Sequence, residues 1–246
     1  MDRGLYVSMT GAKQIMQAQA VNNNNIANVN TVGFRADAVS FNSQPIYGPG
    51  YATRVNAVAG DAGVDFSTGV LNSTGGALDI SINGDGFITV QGADGQEAYT
   101  RAGDLHVTDS GALVTATGLP VLSETGPIVV PPATATTIGS DGTVSVVPMG
   151  LSAAAQSQVD RIKLVKPSVK DLRKGVDGLF HLTSGGKATT DEGVTVASGS
   201  LESSNVNAAL SLVNMIELQR LYELQIKSLN SSDTNEQSAE RLMLTS

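Results

Sequence analysis

Apolar residues follow two periods along this chain, and the change of period marks its parts. Residues 5–28 carry apolar or small side chains at Leu5, Met9, Ala12 and Met16, and again at Ile26, which places them on one helical face. The pattern returns at the far end with Val206, Leu210, Val213, Ile216, Leu221, Leu224 and Ile226. That run predicts a helix of more than ~20 residues, roughly 30 Å or longer. Ser204 or Asn205 stands where its N-cap is expected, and the polar run 230–237 is expected to weaken it before Leu242, Met243 and Leu244.

Between the ends the period falls to two. Residues 77–82 alternate, 83–86 (Asn-Gly-Asp-Gly) form a turn, and 87–90 continue as a strand into the Asp94-Gly95 turn. Short strands follow at 105–107, 113–114, 128–130, 136–138, 143–147, 161–165 and 180–182. Strands at roughly 8–12-residue spacing with turn signals predict an antiparallel sandwich or open barrel. Residues 28–33 read as a helix stop, with Gly33 suited to a left-handed C′ position. Residues 42–63 lack a clear period and predict an extended linker or irregular hairpin. The fold class expected is α+β: long N- and C-terminal helices paired as an antiparallel coiled coil, with a central antiparallel β domain. The parts are an N-terminal helix (1–33), a linker or hairpin (34–75), a β-rich domain (76–200) and a C-terminal helix (201–246).

Pairing the two ends buries only part of two long stripes, so the rest requires neighbours. Leu5, Met9, Met16 and Ile26 at one end, with Val206, Leu210, Val213, Ile216, Leu221 and Leu224 at the other, are the expected assembly residues. The tetrad Asn22 to Asn25 reads either as a frayed helix end or as a polar rung in a packed helical tube, where amide side chains bond across chains and fix register.

Composition bears on this picture. Charged residues are 15%, against an ordinary ~25%, which suits a protein packed against copies or partners. The net charge of −8 and the lack of a basic patch argue against nucleic acid. With no cysteine, neither a thiolate nucleophile nor a cysteine-based metal site is available. The first residues contain no continuous apolar core of a cleaved signal peptide, and no run approaches the ~20 apolar residues of a membrane span. His106 and His181 lie in short strands and form no metal-ligand pair, no Gly-x-Ser-x-Gly elbow occurs, and 79–90 lacks the closing Glu of a calcium loop. Neither catalysis nor a cofactor is expected.

Three motifs give a resemblance. Asn25-Ile26-Ala27-Asn28-Val29-Asn30-Thr31-Val32-Gly33-Phe34 is similar to the first signature of the flagellar rod and hook proteins. Glu202, Ser204, Asn205, Val206 and Asn207, continued by Gln219, Arg220 and Tyr222, resemble that family's C-terminal signature. Ile82-Asn83-Gly84-Asp85-Gly86-Phe87-Ile88 and Tyr99-Thr100-Arg101-Ala102-Gly103 resemble its central β region. The opening six residues and the short 34–70 segment look like the proximal-rod branch, with the distal-rod branch as the alternative.

The resemblance implies a structural subunit of the periplasmic rod of the flagellar basal body, exported through the type III apparatus without a cleaved signal. The partners implied are copies of itself and other rod proteins, in a torque-transmitting tube around an export channel. No small-molecule substrate is implied. A secreted β-rich adhesin with a helical stalk is the rival class, but a stalk would place its helices consecutively. A carbohydrate-active enzyme would need a cleft with paired carboxylates.

Overall fold

The computed structural model describes residues 3–45, 55–150 and 156–244, and it divides the chain into two compact units. The first gathers Met1–Asn28, Ala36–Asp65 and Val206–Ser246; the second gathers Val29–Arg35 and Phe66–Asn205. Chain ends far apart in sequence therefore fold together. The architecture is α+β, a helix at each end around a central region whose strand pairs are antiparallel.

The first unit contains helix α1 (Arg3–Ala27), a hairpin of strands β1 (Asp37–Pro45) and β2 (Val55–Val64), and helix α2 (Ala208–Leu244). Cross-helix contacts fix the direction of the helices. Ser8 faces Ser228, Gly11 faces Gln225 and Asn22 faces Ser211, so α1 and α2 run antiparallel. The linker expected at 34–75 is split: β1 and β2 pair from Asp37↔Val64 to Pro45↔Val55, and residues from Phe66 onward belong to the second unit. Residues 46–54 lie outside those described.

Two expectations for α2 are corrected. It starts at Ala208 rather than near Val206, and its cap is neither Ser204 nor Asn205: Asn207 Oδ1 accepts the Leu210 N–H at 3.1 Å. Residues 200–202 instead form a strand against 71–73. The helix runs on through the polar segment 230–237. Ser232, Thr234 and Ser238 return their hydroxyls to carbonyls four residues back, so these side chains are satisfied inside the helix.

In the second unit a five-stranded sheet runs in the order 164–165, 87–91, 97–100, 180–182, 172–174. A three-stranded sheet (157–161, 143–148, 133–138) and several strand pairs complete it. These sheets are smaller than the sandwich or barrel expected, because glycine turns cut the chain into strands of two to six residues. They share one core, in which Ile80, Ile88, Val90, Leu113, Val121, Ile128, Val144 and Leu164 are fully or almost fully buried. Phe66, Phe87 and Phe180 form an aromatic cluster with ring centroids 5.3–6.2 Å apart.

Candidate assembly surfaces

The helix pair has two faces of opposite character. The face used within the chain mixes small and polar residues with a few larger apolar ones. On α1 it comprises Ala12, Ile15, Ala18, Asn22 and Asn25, all buried; on α2, Ser211 is buried and Leu218 and Tyr222 are half-buried. Small residues let the helices approach closely: a side-chain carbon added at Gly11 would lie 3.2 Å from Gln225 Cδ.

The tetrad has a split role. Asn22 donates to the Ser211 carbonyl at 2.8 Å, which pins α1 to α2. Asn25 donates to the Asp37 carbonyl at 2.8 Å and accepts the Asp37 N–H at 2.9 Å. Its amide thus imitates a strand partner and docks β1. Asn23 and Asn24 are exposed. The first and last members of the tetrad are thus bonded within one chain, and the helix continues through all four residues, so the frayed-end reading is not met.

The other face is apolar and open. Met9 and Met16 on α1 are 49% and 56% exposed; on α2, Leu210, Val213, Ile216, Leu221 and Leu224 range from 48% to 61%. Leu5, Ile26 and Val206 are half-buried. Most residues singled out for assembly are therefore turned away from the intrachain pairing. These aliphatic side chains are spaced along the open side of each helix and left half in water. A cleft of about 400 Å³ opens beside this face, between α1, β1 and α2, with Val21, Val39, Phe41, Glu217 and Leu221 among its walls.

In the second unit the motif residues meet at one carboxylate. Glu202, 1% exposed, accepts from Arg35 Nη2 at 2.6 Å and from the Gly69 N–H at 2.8 Å on Oε1, and from Arg101 Nε at 2.8 Å on Oε2. Its carbonyl accepts the Gly33 N–H at 2.8 Å. Arg101 donates onward to the Gly84 and Gly86 carbonyls, which fixes the turn of the central motif. Burial pushes the Arg101 guanidinium below its ordinary value, and Arg35 adds to that while Glu202 opposes it. Gly33 is required where it stands: its φ is +67°, and a side-chain carbon there would lie 2.3 Å from the Arg101 backbone. Phe34 lies under the Lys174 ammonium, 3.9 Å from the ring centroid.

The remaining motif residues are dispersed. Asn28 donates from its side chain to the Asn24 carbonyl, and Asn205 to the Ser67 carbonyl and hydroxyl. Ser204 is buried and Tyr222 half-buried, whereas Ala27, Thr31, Gln219 and Arg220 are exposed. Arg35 was not among the motif residues singled out. Its one sequence signal is a cation directly after Phe34, in a chain with few charges.

A polar cleft of about 490 Å³ in the second unit has two carboxylates in its wall, Glu97 and Glu124. Glu97 is held in a buried ion pair with Lys163, Nζ to Oε1 2.5 Å, while Glu124 is exposed.

A helix at each end, an open aliphatic face and a β unit closed by the motif residues describe a building block. Comparison with known proteins gives the class. Residues 5–35 match the family model described as flagella basal body rod protein. Residues 81–146 match the flagellar hook protein FlgE/F/G D1 domain, and 197–242 match the flagellar basal body rod FlgEFG protein C-terminal region. The chain belongs to the flagellar basal-body rod protein family and is a structural subunit of the rod. It is similar along its whole length to the flagellar basal-body rod protein FlgF of Escherichia coli (strain K12), 39% identical over 99% of both chains. FlgF of Salmonella typhimurium is 38% identical over the same shares. The flagellar basal-body rod protein FlgG of Bacillus subtilis is 34% identical over 94% of this chain and 95% of its own.

Proposed function

We propose that the chain is a proximal-rod subunit whose open helical face is completed by its neighbours. The observation that carries this reading is the pairing of an exposed aliphatic stripe on both terminal helices with a β unit that closes its own core. In a ring or helix of copies and related rod proteins, those stripes would pack as coiled-coil layers of an inner tube. Such a tube would carry torque along the periplasmic rod and leave an axial channel. Delivery through the type III export apparatus belongs to the same reading. Full-length similarity to FlgF supports the proximal position.

The role proposed is structural rather than catalytic. The residues that distinguish this surface are aliphatic, and Glu97 in the polar cleft is already engaged by Lys163.

The test is complementation in flagellated cells that lack the chain. Full-length protein should restore motility and be found in the rod of purified basal bodies. A variant without residues 1–28 should remain soluble with a folded β unit but restore neither. Normal motility from the truncated variant would refute the assembly role of α1.

A further inference from the structure

The open faces of the two helices carry opposite charges at matching places. On α2 the stripe Leu210, Val213, Glu217, Leu221, Leu224 runs in steps of three and four, with one carboxylate at its centre and the exposed Arg220 at its edge. On α1 the outward stripe is Leu5, Met9, Lys13, Met16, in steps of four and three, and again includes one charged residue. Lys13 and Glu217 are both exposed, and neither has an ion-pair partner among the described residues. They cannot readily serve each other within one chain. Antiparallel pairing sets Gly11 against Gln225 and Asn22 against Ser211, which puts Lys13 and Glu217 at different heights.

A single charge inside an aliphatic stripe is costly to cover unless its partner arrives with the covering surface. The same feature gives register, because only one alignment pairs the charges. Methionine suits such a contact, since its unbranched thioether adapts to an irregular wall such as the cleft lined by Val39, Phe41 and Leu221.

We propose that the outward face of α1 in one copy packs on the outward face of α2 in a second copy of this chain, with Lys13 set against Glu217 as the register pair. The contact joins unlike surfaces, so it is head-to-tail and leaves a free α1 face and a free α2 face at the ends of any chain of copies. This inference rests on the rod-subunit reading and adds to it a named interface and the direction of stacking.

The test is charge reversal, read as the amount of full-length chain in basal bodies purified from cells that lack their own copy. Wild-type chain absent from the basal bodies would overturn the rod reading and this interface with it. With wild type present, Lys13→Glu alone and Glu217→Lys alone should each lower incorporation by about tenfold or more, since like charges then meet across the contact. The double variant should recover most of the loss. Co-expression of the two single variants should also recover it, because alternating copies again pair opposite charges, which no intrachain contact could achieve. Circular dichroism of each purified variant should match wild type, as both positions are exposed. Single reversals that incorporate normally, or a double variant and a mixture no better than the singles, would overturn the interface and leave the rod reading intact.

Discussion

The helical unit and the β unit solve the same problem of burying apolar surface in different ways. The β unit closes on itself: Ile80, Ile88, Val90, Leu113, Val121 and Ile128 are almost wholly covered, and the charged group at its centre, Glu202, meets two guanidinium groups and a backbone N–H. The helical unit spends alanine, serine and asparagine on the intrachain contact and leaves methionine, leucine, valine and isoleucine half in water. A monomer built for its own stability would arrange them the other way, because aliphatic burial yields about 25 cal/mol per Å² and polar pairing yields little net. Under the proposed function, the difference teaches that the two units are finished at different stages, one by folding and one by assembly.

The largest effect should come from charging the open face. Leu210 is 59% exposed in the single chain, so Leu210→Asp should leave monomer folding and the melting of the β unit nearly unchanged. In the assembled rod the unpaired carboxylate would be desolvated at a cost of several kcal/mol in every copy. Incorporation and motility should be abolished, as read by basal-body purification and swarming. Normal assembly of this variant would mean that the α2 stripe is not a subunit contact.

Next in size is a break in the closed unit. Glu202→Ala leaves Arg35 and Arg101 buried without their carboxylate, which costs about 3–5 kcal/mol. Urea unfolding followed by tyrosine fluorescence should show that loss. A loss under about 1 kcal/mol would mean that the cluster relaxes into water and does not hold the unit closed.

A smaller loss tests the polar seam within the helix pair. Asn22→Ala removes its bond to the Ser211 carbonyl and should cost about 1 kcal/mol. The change should appear as lower helicity in the free chain, with the β unit unaffected.

The smallest effect has a pH signature. Burial, with help from Asp79, raises the pKa of Asp104, and its Oδ1 is buried without a hydrogen-bond partner. A raised acid pKa means that the folded state holds its proton more firmly than the unfolded state. The charged carboxylate therefore costs stability as pH rises above the unfolded value near 4, and that cost is absent below it. Asp104→Asn should raise the melting temperature slightly at pH 7, and the gain should vanish near pH 4. A lower melting temperature at pH 7 would contradict this.

The sequence made the helices legible because their stripes are long and their periods clean. It also identified the motif positions that meet in the β unit, but not what they do there. Gly33, Arg101 and Glu202 lie far apart in the chain and meet only in the fold, through the Gly33 N–H on the Glu202 carbonyl and the Arg101 guanidinium on its carboxylate. The C-terminal helix was read as starting too early because Ser204 and Asn205 are both good caps, while strand pairing holds Glu202 extended and moves the start to Asn207. Which face of each helix turns inward was not legible, since alanine and asparagine look like the outside of an ordinary amphipathic helix. Here they form the inside of the pair, and the aliphatic stripe, expected to be buried in part by that pairing, is mostly exposed.

Hydrogen exchange on purified, verified monomer tests this division most directly. Amides in residues 5–27 and 208–244 should exchange through local opening, well before those of 80–83, 87–91 and 97–100 in the β core. In rods the same helices should become as protected as the core strands. Helices already as protected as the β core in the monomer would contradict the claim that neighbours complete them.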